Sequence, residues 1–539
     1  STRITMAENC RGYFLGFDFS TQQLKALAVD ESLKVVLEEY VKFDTDLPEF
    51  KTYGGVHIHD NKVTITSPTA MWIKALDLLL DKMKKSGFDF SKVVALSGDG
   101  QQHGSVYWKK GARNKLTSLS PDKPLYDQLK DEFSIPESPI WMDASTTRQC
   151  REVEAAVGGA MRLAEITGSR GFERFTGIQI RKIYQTKQET YENTERISLV
   201  SSFAASLLLG DYAPIDYSDG SGMNLLDIRT KSWSAEVLEA CAPDLASKLG
   251  EPVPSHQVIG NISSYLVSRY HFSPDCKVVA FTGDNPASLA GLAARQGDII
   301  VSLGSSDVIF LWLPSATPGL TGHILVNPLD PESYMGLICF KNSSLTREKI
   351  RDLYAEGSWE KFEQLLKAAP KGNHGNIGIY FDTAEVQPVV MGTFRFNEND
   401  EQVERFSNEL EVRAVLESQF MARLVYARKC GLQIGPDARV IATGGASVNK
   451  AILQVIADIF NSSVYVTDVP NSAALGGCYR AKHAWQGLET PFTDVVKNHP
   501  DPVCVATHTP GVEKIYDLLQ ARYEKLEEMI AANYENKID

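Results

Sequence analysis

The sequence lacks a long apolar run, an excess of positive charge and any cysteine pattern, and each absence closes off a class of function. No uninterrupted apolar stretch is long enough to span a bilayer, so a reducing, cytoplasmic setting is expected. Lys and Arg together number 55 against 68 Asp and Glu, a formal net charge of −13. A general binder of nucleic acid or of an anionic membrane needs a basic surface to displace counterions, so neither partner is expected. Any phosphate held by such a chain must be held locally, by a metal ion, backbone N–H groups or a few cations. The eight cysteines (Cys10, Cys150, Cys241, Cys276, Cys339, Cys430, Cys478 and Cys504) include no CxxC pair and no closely spaced Cys/His set. That argues against disulfides and structural zinc. The first ten residues lack the basic-then-apolar order of a signal peptide, and Met6-Ala7-Glu8 reads as a native start.

Three familiar phosphate-handling motifs are also missing. There is no GxxxxGK[ST] loop, and the protein-kinase catalytic loop and DFG motif are absent. The run Gly98-Asp99-Gly100-Gln101-Gln102-His103-Gly104 has one residue too many before its last glycine to be a dinucleotide fingerprint. A dehydrogenase built on it also requires a helix directly afterwards, whereas Ser105-Val106-Tyr107-Trp108 reads as a strand.

What is present is a chain of 539 residues, more than one core usually organises, with 43% hydrophobic and 23% charged residues. At least two folded domains are expected, with no disordered block. An apolar run over 13–18 ends in Asp18. A polar turn follows at 19–23, and β-prone segments at 24–29 and 35–39 complete a meander. After a loop-like stretch over 48–67, residues 71–85 have helical spacing, and 93–97 form a short buried strand running into a glycine turn. The pattern returns later: strands at 277–281 and 298–303, a polar turn at 304–307, a strand at 308–313, and a strand, glycine turn, helix and strand over 439–466. Helical spacing over 410–428 packs into this later half. The chain therefore reads as two related α/β halves, 1–294 and 295–539, hinged near Arg295. Each opens with a hairpin whose hydroxyl-bearing turn can face a phosphate.

The segments Gly16-Phe17-Asp18-Phe19-Ser20-Thr21 with Lys25, Ser302-Leu303-Gly304-Ser305-Ser306-Asp307, and Ala442-Thr443-Gly444-Gly445-Ala446-Ser447 with Asn449 resemble the two phosphate turns and adenosine loop of the FGGY carbohydrate kinases. The resemblance covers almost the whole chain. It implies an α/β fold of two duplicated actin-like (ribonuclease H-like) ATPase domains, with a nucleotide and sugar cleft between them. Within that family, Ser97-Gly98-Asp99-Gly100-Gln101-Gln102-His103-Gly104, Trp141-Met142-Asp143, Glu173-Arg174-Phe175-Thr176-Gly177 and Thr282-Gly283-Asp284-Asn285 are similar to the eukaryotic D-xylulose kinases. The order and spacing of these segments are far more specific than any one of them.

The resemblance implies Mg-ATP as cofactor and D-xylulose as substrate, on a monomer or weak homodimer. Asp284 is the implied general base, which phosphoryl transfer requires to take the proton of the attacking hydroxyl. Its local alternative is a cap for the helix beginning at Pro286. Asp18 is the candidate Mg²⁺ carboxylate, directly or through water; alternatively it is an ordinary turn acid. His103, Arg174, Asp284 and Asn285 are the implied sugar shell. Ser20, Thr21 and Ser306 are the implied phosphate contacts, and Trp359, Gly445, Ala446 and Asn449 the implied adenosine contacts. Asp143 faces the sugar or helps close the cleft. Ser145 departs from the Arg of many bacterial relatives, while Ser305 and Ser20 replace a commoner Thr and Gly. His57 and His59 read as solvated loop residues, too few for a metal site. Another polyol acceptor, or a silent sugar sensor on the same fold, are the competing readings.

Overall fold

The computed structural model describes residues 12–435 and 438–538. Cys10 and the Met6-Ala7-Glu8 start lie outside the described residues. Strand β1 (Tyr13–Phe19) is the apolar run, with every residue but Tyr13 and Asp18 buried. It pairs antiparallel with β2 (Gln23–Val29), and the turn between them closes by Ser20 N–H donating to Gln23 O at 3.0 Å. With β3 (Val35–Lys42), β4 (Val93–Gly100), β5 (Val258–Asn261) and β6 (Lys277–Val279) they form a sheet in the order β5-β6-β4-β1-β2-β3. A short strand β7 (Thr282–Gly283) pairs parallel to the end of β4, and helix α1 (Asp284–Gly291) follows at once.

The second sheet is built from β8 (Ile299–Ser302), β9 (Asp307–Leu313), β10 (His323–Val326), β11 (Tyr334–Phe340), β12 (Val440–Thr443), β13 (Val464–Val466) and β14 (Val503–Ala506). Their order is β10-β11-β9-β8-β12-β13-β14. The run β3-β2-β1-β4-β6 and the run β11-β9-β8-β12-β13 have the same directions: an antiparallel meander on one side of the first strand and two parallel strands on the other. The two α/β halves are thus the same unit repeated, as the recurring strand-turn-strand pattern implies. Helix α2 (Trp359–Ala368), α3 (Asn408–Lys429) and α4 (Lys450–Phe460) belong to the second half. The long α3 is buried almost continuously from Glu411 to Ala427.

Helix α5 (Ser472–Gln486) follows the second sheet's central strands in sequence yet packs against β1, β4 and α1 of the first half. Small residues permit the approach: a methyl carbon at Gly16 would lie 2.1 Å from Ala474 O, and one at Gly476 1.8 Å from Ala287 O. From this helix the buried Arg480 donates to Gly98 O at 2.8 Å, Ala280 O at 2.9 Å and Ser255 O at 3.1 Å. It satisfies backbone carbonyls around the ends of the first sheet's parallel strands.

One local expectation changes. His57 is not a solvated loop residue: it sits in the short strand His57–Ile58, with Nδ1 2.7 Å from Glu137 Oε1 and Nε2 2.7 Å from Phe50 O. Its bond to Glu137 ties the 48–67 stretch to a segment distant in sequence. His59 is an exposed loop residue as expected, with Nε2 2.8 Å from Thr66 Oγ1.

Candidate active site

Parallel strands β1, β4 and β7 end side by side, and each ending delivers a carboxylate into the cleft. Asp18 and Asp99 are direct neighbours across β1 and β4, Thr282 pairs with Asp99, and Asp284 follows two residues later. The carboxyl ends of parallel strands are where open α/β sheets bind ligands. Asp18 Oδ1 and both oxygens of Asp99 are buried without a hydrogen-bond partner of good geometry. Burial, then the charge of Asp18, pushes Asp99 well above the usual carboxylate range. Burial also raises Asp18. Burial and then Asp18 lift Asp284 to about 7. Asp284 is not the cap: Gly283 holds that position, and Asp284 opens the first turn with its Oδ1 accepting from Asn285 N–H at 2.9 Å.

Below these lie Asp216 and Asp219, accepting from Ser255 Oγ at 2.6 Å and Ser201 Oγ at 2.5 Å respectively. Arg480 is the cation whose charge reaches Asp99 and Asp216; its own burial brings it down to about 10.

His103 stands beside this floor with φ of 73°, a strained conformation for a residue with a side chain. Its ring stacks on Phe175 at 4.5 Å, and its Nδ1 lies 2.9 Å from Gly222 O. A carbonyl only accepts, so Nδ1 carries the proton and Nε2 is left as an acceptor. Burial and then Arg174 hold the imidazole down to about 3, so it is neutral. Asn285 Nδ2 donates to Gln102 Oε1 at 2.7 Å, while Gln102 Nε2 is buried and unpaired. Arg174 Nη2 donates to His323 Nε2 at 2.8 Å, and its Nε is buried without a partner. The charges of both Arg174 and Asp284 act on the half-buried Cys339 thiol. Asp143 is occupied elsewhere: it accepts from Ile65 N at 2.9 Å, Ser145 N at 3.0 Å, Ser145 Oγ at 2.7 Å and Gln179 Nε2 at 2.7 Å. It holds its loop together instead of facing a ligand.

On the other side of the cleft, a cavity of about 910 Å³ is lined by Gly304, Ser305, Trp359, Gly445, Ala446 and Asn449, among others. Asn449 Oδ1 caps α4, accepting from Ala451 N at 3.1 Å and Ile452 N at 3.2 Å. Arg351 lies 4.8 Å over the Trp359 ring and fixes its plane. Ser306 is exposed on the same turn as Ser305 but does not line this cavity. Ser20 and Thr21 line a separate depression of about 510 Å³. Thr21 Oγ1 accepts from Trp141 Nε1 at 2.9 Å, which leaves the hydroxyl hydrogen free.

Residues 130–291 match the FGGY family of carbohydrate kinases, N-terminal domain, and residues 299–485 match the C-terminal domain of the same family. The chain belongs to the FGGY carbohydrate kinases. Among its relatives, the Mus musculus xylulose kinase is 56% identical over 526 residues, 97% of this chain and 96% of that protein. The Rattus norvegicus xylulose kinase is 57% identical over 527 residues, 97% and 98% of the two chains. A crystal structure of a xyloylose kinase from Brucella ovis shares the fold with a TM-score of 0.79 at 20% identity, covering 96% of this FGGY kinase and 99% of that chain. As a member of this family the enzyme is an ATP-using carbohydrate kinase.

Among the described residues no group of three or more His, Cys, Asp or Glu side chains could cage a metal. The donor set fits Mg²⁺ nonetheless, since that ion takes one or two carboxylates and completes its shell with water and phosphate oxygens. The unpaired, buried Asp18 Oδ1 is such a donor. Reading the sequence passed over Asp99, Gln102, His323 and Arg480. Asp99 and Gln102 lie in the run Gly98 to Gly104, where polar residues at the end of a buried strand are the local signal. His323 and Arg480 carry no local signal.

Proposed function

We propose that this kinase transfers the γ-phosphoryl group of ATP to the terminal hydroxyl of D-xylulose, giving D-xylulose 5-phosphate and ADP, in the cytoplasm, as a monomer or weak homodimer. The observation that carries the reading is Asp284: a half-buried carboxylate at the start of α1, raised to about 7, facing a cleft whose other wall holds a nucleotide-sized cavity. The near full-length likeness to proteins named xylulose kinase supports the choice of sugar.

Asp284 takes the hydroxyl proton, the oxygen bonds to the γ-phosphorus, and the bond to the bridging oxygen breaks, leaving ADP with the electron pair. A raised pKa suits this work, because the base is ionised at neutral to alkaline pH yet basic enough to receive the proton. Neutral His103 accepts a sugar hydroxyl at Nε2, Arg174 donates to sugar oxygens, and Asn285 is held in orientation by Gln102. Ser20, Thr21 and Ser306 meet the phosphates. Gly445 and Ala446 let the backbone approach adenosine, with Trp359 and Asn449 beside it. When bound, Mg²⁺ at Asp18 neutralises charge on the β- and γ-phosphate oxygens. The two turns line separate cavities, so the two sheets close toward one another about a hinge near Arg295, with α5 staying on the first sheet, to bring both turns onto one nucleotide and exclude water.

The test is ADP release with Mg-ATP against D-xylulose, D-ribulose, L-xylulose, glycerol and no sugar, beside Asp284→Ala. Turnover on D-xylulose that collapses in the variant supports substrate and base together. Turnover on a different polyol moves the substrate, and undiminished turnover in Asp284→Ala removes the base.

A further inference from the structure

The second lobe reaches into the sugar side of the cleft through one residue that the mechanism above does not use. Strand β10 is the outermost strand of the second sheet, and its free edge is taken up by the first lobe. Ile324 N–H donates to Gly168 O at 2.9 Å, Val326 N–H donates to Ser221 Oγ at 3.0 Å, and Ser218 Oγ donates to Val326 O. An edge strand whose polar groups are satisfied this way is fixed in register against its partner. Gly168 makes the seam possible: its φ is 87°, and a methyl carbon there would lie 2.0 Å from Ile324 O.

The first residue of that strand, His323, is only 5% exposed and stands among three aromatic rings of the first lobe. Its ring centre lies 4.6 Å from Phe172, 5.0 Å from Phe175 and 6.5 Å from His103. A guanidinium can only donate, so Nε2, 2.8 Å from Arg174 Nη2, must accept; Nδ1 then carries the proton and donates to Ser169 Oγ at 3.0 Å. Burial, reinforced by Arg174 and His103, keeps the ring neutral, which this arrangement requires. One end of the Arg174 fork is therefore held by the other lobe, and its Nε remains buried with no partner.

We propose that His323 is a positioning residue for sugar recognition: it holds Arg174 from the nucleotide lobe so that the remaining guanidinium donors face the sugar. The inference rests on the reading of Arg174 as a sugar contact. Two substitutions separate positioning from packing. His323→Phe keeps an aromatic ring among Phe172, Phe175 and His103 but removes the acceptor, whereas His323→Gln places an amide oxygen where Nε2 stood and gives up the ring.

Steady-state kinetics on the full chain should show His323→Phe raising KM for D-xylulose about ten-fold, as expected for losing a hydrogen bond to a charged group, with KM for ATP and kcat within about two-fold. His323→Gln should recover most of the loss, and His323→Phe should add nothing in an Arg174→Ala background. The inference is overturned if His323→Gln is the impaired variant and His323→Phe is silent, or if the two losses simply multiply in the double variant. If Arg174→Ala alone leaves the sugar KM unchanged, the reading of Arg174 itself fails. If Arg174→Ala raises it and His323→Phe does not, only the role of His323 fails.

Discussion

The turn over 19–22 and the turn over 303–306 join corresponding strands of the two sheets, but the aspartates flanking them are treated in opposite ways. Asp18 precedes the first turn with a buried oxygen unpaired, and with Asp99 and Asp284 it forms a group of carboxyls that burial raises. Asp307 follows the second turn and is clamped by Arg347 at 2.9 and 3.1 Å and by Arg423 at 2.7 Å. Burial pushes Asp307 up as well, but the two guanidinium groups outweigh it and hold the carboxyl below its usual value. The paired carboxylate shapes its turn, accepting from Gly304 N–H at 3.3 Å. The unpaired oxygen of Asp18 keeps its lone pairs for a ligand. The same repeated unit thus spends one aspartate on architecture and leaves another open to chemistry.

The sharpest break between the two sides comes from Asp284→Asn. Loss of a positioned general base should lower kcat by about 10²- to 10⁴-fold, while the urea midpoint does not fall, since the amide removes a charge that burial already disfavours. A kcat near that of the parent would show that the open carboxylates are not the reactive ones. Asp307→Asn should do the reverse. It leaves two buried arginines without their partner, and equilibrium unfolding should register a loss of about 3–5 kcal/mol. A loss under about 1 kcal/mol would mean that the clamp does not hold the second turn.

pH separates the two sides with opposite signs. Asp284 has its proton affinity raised, so kcat/KM for the sugar should fall roughly ten-fold per unit below about pH 7 and level off above it. A profile measured from pH 5.5 to 8.5 that stays flat through the lower range would remove Asp284 as the titrating base. For stability, the raised Asp284 contributes most below the unfolded carboxylate value and loses that contribution as pH rises toward 7. The lowered Asp307 contributes above the unfolded value and loses its contribution as pH falls through its folded value. The smallest effect is expected of Asp99→Asn. Burial and the charge of Asp18 both disfavour the ionised form of this carboxyl, so the neutral amide should change stability at pH 8 by no more than about 1 kcal/mol, in the stabilising direction. A loss greater than 2 kcal/mol by this measure, taken as roughly twice that bound, would show Asp99 to be ionised and needed as such.

How far these features were legible in the chain depends on the range over which they form. The β1 hairpin, the strand running into Gly98, and the strand and glycine turn before Asn449 are written in apolar runs broken by polar or glycine residues, and the folded elements fall within a few residues of the expected ones. Asp18, Asp284 and Asn449 sit at ends of such elements, where a local pattern can point to them. Arg423 and Arg347 reach Asp307 from helices 116 and 40 residues away, and no spacing rule relates them. His323 meets Arg174 across 149 residues. Trp141 belongs to the motif Trp141-Met142-Asp143, but its bond to Thr21 spans 120 residues and links a surface loop to the first turn. Periodicity describes which face of an element is buried; it carries nothing about which distant polar group will meet it.

The crossing of α5 onto the first sheet means that the repeat cannot be undone with scissors. A polypeptide ending at residue 294 would keep the strands that carry Asp18 and Asp99 but lose the helix that fills the groove beside Gly16, and with it the guanidinium that tethers Gly98, Ala280 and Ser255. The complementary piece would present a bare stripe of small residues and an arginine with nothing to hold. Two such fragments would not be modules that meet after folding; each would carry part of the other's interior, so that their reunion would itself be a folding reaction.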